Sequence, residues 1–312
     1  MNFDKKLAIR QKICQKIIAL IIKKCYNYLK VLLNCFFCEV TMSKIIAIAN
    51  QKGGVGKTTT CVNLASFVAT MGKRVLAIDI DPQGNCSSGL GIEKRKLKYS
   101  IYHLFSGEAE YSEVIKHTSV KNLDILPSNI DLAGAEIELV NVTDREKVLK
   151  KNLLPLRNLY DYIFIDCPPS LGLLTVNALA AADSILIPIQ GEFFALEGLS
   201  QLMNTIKLTK KHVNPSLEVE GVVLTMYDGR SNLVNSVASE IIRYFGKKVF
   251  SVRIPRNVKL GEAPSYGMPI MQFEPRSSGS IAYRALAEEF LVRNNDNFEK
   301  ITNLSSLRVK IK

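Results

Sequence analysis

The 312-residue chain lacks any run of about 18 uncharged apolar residues, the length that a membrane-spanning helix needs. Its most apolar stretch, residues 14–38, is broken by Lys23, Lys24 and Lys30, and no small-residue cleavage site follows it. It therefore reads neither as a spanning helix nor as a signal peptide. Paired cysteines are scarce as well. Of seven cysteines, Cys14, Cys25, Cys35 and Cys38 fall in the first 42 residues, and only Cys61, Cys86 and Cys167 lie beyond. So scattered and odd a set excludes a disulfide framework and fits a reducing compartment. Cys35-x-x-Cys38 has metal-ligand spacing, but no second pair accompanies it, and the three body cysteines do not make an iron–sulfur carrier.

What is abundant is positive charge. The net charge is +12, and residues 1–42 contribute half of it, with eight Lys and Arg against Asp4 and Glu39. Met42 stands just before Ser43-Lys-Ile-Ile, so three readings of this leader stay open: a mis-assigned start, a basic amphipathic segment for a membrane or partner, or disorder. The rest is mildly basic, which suits an anionic partner such as DNA without proving one. With 47% hydrophobic residues the chain can bury one large core.

The densest chemistry lies at Lys52-Gly-Gly-Val-Gly-Lys-Thr-Thr-Thr60. Gly53, Gly54 and Gly56 allow a tight turn that aims backbone N–H groups, Val55's included, at phosphate oxygens, and the N-terminus of a following helix adds positive potential. Lys57 would reach the β- and γ-phosphates, Thr58 would hold Mg²⁺ through its hydroxyl, and Thr59 continues the loop into the helix. Lys44–Asn50 is a short β-branched run, hence a buried strand; Val62, Leu64, Ala65, Val68 and Ala69 recur at helical spacing up to Gly72. Strand, glycine loop and helix thus follow in the order a phosphate loop requires. Gln51 stands where the usual first glycine would, and Lys52 is an extra lysine.

Further apolar runs at Arg74–Asp79, Leu123–Leu126, Tyr162–Asp166, Ser184–Pro188 and Gly221–Thr225, with a weaker one at Lys248–Val252, predict an α/β fold with a mostly parallel sheet and helices on both faces. Ligands bind beyond the carboxyl ends of such strands, and Asp79, Asp81 and Asp166 sit at such ends. Asp-Pro-Gln-Gly is also good turn chemistry, and an Asp before Pro168 and Pro169 could cap a helix.

Together with Asn50–Thr60, the segments Asp79-Ile-Asp-Pro-Gln-Gly-Asn85, Ile165-Asp-Cys-Pro-Pro-Ser170, Ala195-Leu-Glu-Gly198 and Ile254-Pro-Arg-Asn-Val258 closely resemble the ParA/Soj chromosome- and plasmid-partitioning ATPases. These belong to the deviant Walker A group, which also holds MinD-like proteins. The resemblance runs from about Lys44 to about Phe290. It implies a single-domain P-loop NTPase fold over 43–292, between the leader and a flexible basic tail at 293–312. It implies ATP and Mg²⁺ as cofactors, and an ATP-dependent homodimer in which Lys52 crosses to the neighbour's nucleotide. Asp81 would place the attacking water, Asp166 would hold the Mg²⁺ shell through water, and Asp79 would support from behind. Met226 and Pro255 would pack on adenine while Asn257 reads its edge. Arg230, Arg253, Arg256, Lys259 and Arg276 would contact double-stranded DNA nonspecifically, and a ParB/Spo0J-like partner would stimulate hydrolysis. Position 259 is often arginine in relatives; lysine keeps the charge and loses the fork. Location in the cytoplasm on the nucleoid would follow.

The tail offers another reading. Phe298, Ile301, Leu304, Leu307 and Ile311 fall at helical spacing among Lys300, Arg308, Lys310 and Lys312, as in a helix lying on an anionic membrane. Its asparagine-rich start, Asn294 to Asn303, favours a loose solvated end instead, so membrane binding is not expected.

Overall fold

In the computed structural model, which describes residues 43–309, the β-branched runs become strands of one eight-stranded sheet. Expectations for the leader, the Cys35 and Cys38 spacing included, and for Lys310, Ile311 and Lys312 lie outside the described residues. The strands are β1 (Lys44–Ile48), β2 (Val75–Asp79), β3 (Lys116–His117), β4 (Leu123–Leu126), β5 (Tyr162–Asp166), β6 (Ser184–Gln190), β7 (Glu218–Tyr227) and β8 (Val249–Pro255), in the order β3-β4-β2-β5-β1-β6-β7-β8. All neighbours are parallel except β3, which pairs antiparallel with β4. Two polar residues at an edge leave no apolar run, which is why β3 had no mark in the sequence.

The central strands are apolar throughout because helices cover both faces. The helices that bear on function are α1 (Lys57–Thr70), α2 (Asn85–Gly89), α3 (Leu173–Ala181), α4 (Ala195–His212), α5 (Asn232–Phe245), α6 (Val258–Glu262), α7 (Ile270–Phe273) and α8 (Ser278–Arg293). One core joins α1, α7 and α8 to the sheet, and a second joins α3, α4 and α5 to the opposite face. Helix α1 is buried almost all round, so even its polar Thr60 is satisfied internally, its hydroxyl 3.1 Å from that of Tyr283 on α8.

Register then sets the site. Ile48 at the end of β1 lies opposite Asp166 of β5, and Asp166 lies opposite Asp79 of β2. Two acidic strand ends are thereby brought beside the loop that leaves β1, although 87 residues separate them in the chain.

After α8 the chain does not continue as the amphipathic helix its spacing suggests. Asn295 takes φ +54°, and residues 294–309 fold back over α1 and α7. The N–H of Glu299 donates to the Met71 carbonyl at 3.1 Å and that of Val309 to the Gln272 carbonyl at 3.1 Å; Asp296 pairs with Lys73 and accepts from the Tyr162 hydroxyl at 2.8 Å. Phe298, Ile301, Leu304 and Leu307 pack on the α1/α8 core, so this apolar face is occupied by the protein and not presented to lipid. No helix among the described residues is long and apolar enough to cross a membrane. Ending the chain after Arg293 should lower unfolding stability by about 4 kcal/mol, given roughly 1 kcal/mol for each of these four partly buried side chains. Urea titration checks this; an unchanged midpoint would show that the packing contributes nothing.

Candidate functional site

The loop after β1 is built by residues at both ends. Asn50 donates through Nδ2 to the Pro188 carbonyl at 2.7 Å and accepts the Lys52 N–H at 3.0 Å. Gly54 and Gly56 take φ +74° and +84°, a region costly for side chains with a Cβ, and Gly56 precedes α1 without any side-chain cap. The first-turn N–H groups of α1 thus face the cavity as an anion site. Thr225 of β7 donates its hydroxyl to the Val55 carbonyl at 2.8 Å, tying the loop to the far half of the sheet. Lys57 is buried and donates to the Lys52 carbonyl at 3.1 Å. Burial pushes its pKa down, and Asp166, Cys167 and Asp81 oppose that shift. A cavity of about 600 Å³ spans Gly53, Gly54, Gly56, Lys57, Thr58 and Thr59 on one side and Asp81, Gln83 and Pro168 on the other.

The three carboxylates differ in what surrounds them. Asp79 is consumed by its own loop: Oδ1 accepts the Asp81 N–H at 3.1 Å, and Oδ2 accepts the Ser87 N–H at 2.8 Å and its hydroxyl at 2.7 Å. Burial pushes its pKa up to about 6 despite those bonds. It supports the loop and the start of α2, a role carried by Ser87, which the sequence did not mark. Asp81 accepts the Gln83 N–H at 2.9 Å and lines the cavity. Asp166 is fully buried, and among the described residues neither carboxylate oxygen has a hydrogen bond of ordinary geometry, the Thr58 hydroxyl being only a nearby donor. Burial, then the nearby Asp79, pushes its carboxyl well above the usual range; the neighbouring Thr58 hydroxyl and Lys57 ammonium offset this only in part. A buried carboxylate with two unsatisfied oxygens beside a threonine hydroxyl and a phosphate cavity is what Mg²⁺, a hard oxygen-binding cation, fits. Asp166→Asn should therefore stabilise the ligand-free protein by about 1 kcal/mol, since it removes a desolvated acid, while weakening Mg²⁺-dependent ATP binding. Urea midpoints and nucleotide titrations check this; a lowered midpoint would show that the carboxylate is structurally required.

A second cavity, about 220 Å³, adjoins the first and shares Gly56, Thr59 and Met226 with it. Pro255 and Asn257 line it, as expected for the base, with Tyr283 at its floor. Met226 takes φ +47°, an uncommon conformation for a residue of that size, where β7 bends away between the two cavities. Asn257 is more occupied than its expected reading role suggests: Oδ1 caps α6 by accepting the Lys259 N–H at 2.8 Å, and Nδ2 donates to Ser278 Oγ at 2.7 Å. One N–H and one lone pair remain for a base edge.

The AAA domain family matches residues 43–219. The sporulation initiation inhibitor protein Soj of Bacillus subtilis is 57% identical over 248 residues, 80% of this chain and 98% of that protein. The chromosome partitioning protein ParA of Myxococcus xanthus is 51% identical over 81% of this chain and 90% of its own length. The chain belongs to the ParA/Soj family. Its P-loop NTPase fold also superposes, with a TM-score of 0.72, on cobyrinic acid a,c-diamide synthase of Mycobacterium smegmatis crystallised with an ATP analogue and magnesium; the two are 35% identical, and the match covers 84% of this chain and all of that one.

On this ParA/Soj framework the expected basic residues gather around the ends of β7 and β8. Arg230 pairs with Asp228 at 2.7 Å and Lys259 with Glu262 at 2.7 Å, both at the surface. Arg253 is exposed but held, its guanidinium 4.4 Å from the Tyr227 ring centre and bonded to that hydroxyl at 2.6 Å. Arg276 is exposed in the turn before α8. Arg256 is exposed beside the adenine-sized cavity, with no ion pair or hydrogen bond among the described residues. Lys52 stands at the outer mouth of the loop and pairs with Glu192, a residue that no sequence signal had marked.

Proposed function

We propose that this chain is a Mg²⁺-dependent ATPase with weak basal turnover, which pairs face to face when ATP is bound and then holds duplex DNA without sequence preference. A ParB/Spo0J-like protein stimulates hydrolysis and so releases the DNA, in the service of chromosome or plasmid partitioning in the cytoplasm, on the nucleoid. The carrying observation is the division of labour between the two loop lysines. Lys57 is buried under the phosphate cavity and serves the chain's own nucleotide; the Lys52 side chain stands at the outer mouth, 30% exposed and held only by its surface pair with Glu192, from which it can reach a neighbour's. A cation delivered across an interface neutralises charge developing on the phosphates, as an arginine finger does, and so couples hydrolysis to pairing. Thr58 directly and Asp166 through water would hold Mg²⁺, which would supply charge neutralisation to the phosphates, and Asp81 orients the attacking water from the wall opposite the loop.

Cosedimentation with duplex DNA and with anionic vesicles, each with ATP, ADP and no nucleotide, tests the reading. DNA pelleting with ATP alone is the expected result. Vesicle pelleting in its place would favour a MinD-like membrane regulator, and pairing without phosphate release would leave a nucleotide-gated scaffold. The seated tail speaks against the first of these.

A further inference from the structure

Lys52 and Glu192 lie 140 residues apart in the chain and meet in an ion pair at the mouth of the phosphate cavity. The main chain of Lys52 is fixed on both sides, its N–H by Asn50 Oδ1 at 3.0 Å and its carbonyl by Lys57 Nζ at 3.1 Å. Only its side chain is free to change partner. Glu192 is fixed in the same manner: its N–H donates to the Gln190 carbonyl and its carbonyl accepts the Ala195 N–H, both at 2.9 Å, in the turn between β6 and α4. That turn packs closely on α5: a Cβ on Gly191 would come within 3.1 Å of the Val234 side chain. Beside it, Phe193 and Phe194 stand 73% and 64% exposed, their rings edge to face at 5.1 Å.

We propose that Glu192 is a positioning residue for Lys52: it holds the ammonium over its own subunit until phosphates bound to a second copy take the carboxylate's place. The inference rests on the paired-dimer reading above. Charge biases the exchange toward the nucleotide once the partner arrives, since a triphosphate offers several acceptor oxygens and more negative charge than one carboxylate. Exposure keeps it reversible. With side chains 30% and 46% exposed, the pair is a surface contact, strong enough to bias Lys52 and too weak to trap it. The exposed Phe193 and Phe194 lie where a copy reaching for Lys52 would meet this chain, so the contact that breaks and the surface that becomes covered are next to each other.

Each pairing event breaks two such contacts. In saturating ATPγS and Mg²⁺, Glu192→Gln should therefore lower the dimer dissociation constant, measured by light scattering, by three- to thirtyfold. That range is what two exposed ion pairs of up to about 1 kcal/mol each allow. Glu192→Asp, which keeps the charge, should stay close to the wild type, and the gap between the Gln variant and wild type should close at about 1 M salt, where screening removes the restraint. A Gln variant that pairs no more tightly than wild type overturns the proposal. So does an Asp variant that behaves like Gln, or a gap insensitive to salt, since either would make the effect one of shape. If the wild type itself fails to pair with the nucleotide, the dimer reading falls and this inference falls with it, an outcome distinct from pairing with an unchanged constant.

Discussion

Asp81→Ala should cut phosphate release at least a hundredfold while leaving ATP binding and ATP-dependent pairing in place. The carboxylate lines the cavity opposite the glycine loop, and no phosphate-binding group depends on it: Lys57 is held by the Lys52 carbonyl, and the loop by Asn50 and Thr225. A group that orients water and accepts its proton contributes typically 10²–10⁴ in rate, so its loss strands the protein in the ATP state, paired and bound to DNA. The loop keeps its shape because Asp79 still fixes the N–H of residue 81 and of Ser87. Lys52→Ala should give the opposite phenotype, with ATP bound and no dimer, since the cross-subunit cation is gone. Phosphate-release kinetics and light scattering on both variants separate the roles; wild-type turnover in Asp81→Ala would remove that residue from hydrolysis.

Replacing Arg230 and Lys259 together with glutamate should abolish ATP-dependent DNA cosedimentation at moderate salt and leave pairing intact. Each already has an acidic neighbour, Asp228 and Glu262, so reversal builds two like-charged pairs on the face that would meet phosphates. Two lost contacts and two new repulsions acting on a binding mode made only of phosphate contacts predict a fall of a hundredfold or more. Arg256 has no hydrogen bond or ion pair to break among the described residues, though its charge acts on the nearby Asp228, so Arg256→Ala should weaken binding on its own and flatten the slope of log affinity against log salt by roughly 0.9, whatever the DNA sequence. Undiminished binding by the double variant would move the DNA surface elsewhere on the molecule.

Much of the nucleotide site was legible because its chemistry is local. Gly54 and Gly56 are needed where the backbone turns left-handed, β-branched runs such as Tyr162–Phe164 become covered strands, and an acid at a strand end faces the ligand side of an α/β sheet. Met226, Pro255 and Asn257 were singled out by the family resemblance and not by local chemistry; Met226 lies near the end of β7, Pro255 closes β8 and Asn257 follows it, and the three line one cavity. The tail was expected to be a loose solvated end, and its described part is instead seated on the core, which neither its asparagine-rich start nor its spacing revealed. Apolar residues three apart suit a helix, but a core within reach absorbs them equally well in an irregular strap, and periodicity cannot tell the two apart.

The sequence by itself determined the fold class, the phosphate loop and the strand-end acids, since each depends on residues within a few positions of one another. Tertiary structure alone decided that Asp79 and Asp166 share a register, that Asp79 is taken up by Ser87 while Asp166 keeps both oxygens unsatisfied, and that Lys52 rests on Glu192. Those facts follow from a strand order in which β5 enters between β2 and β1 and β6 flanks β1, and that order is fixed by packing over the whole sheet.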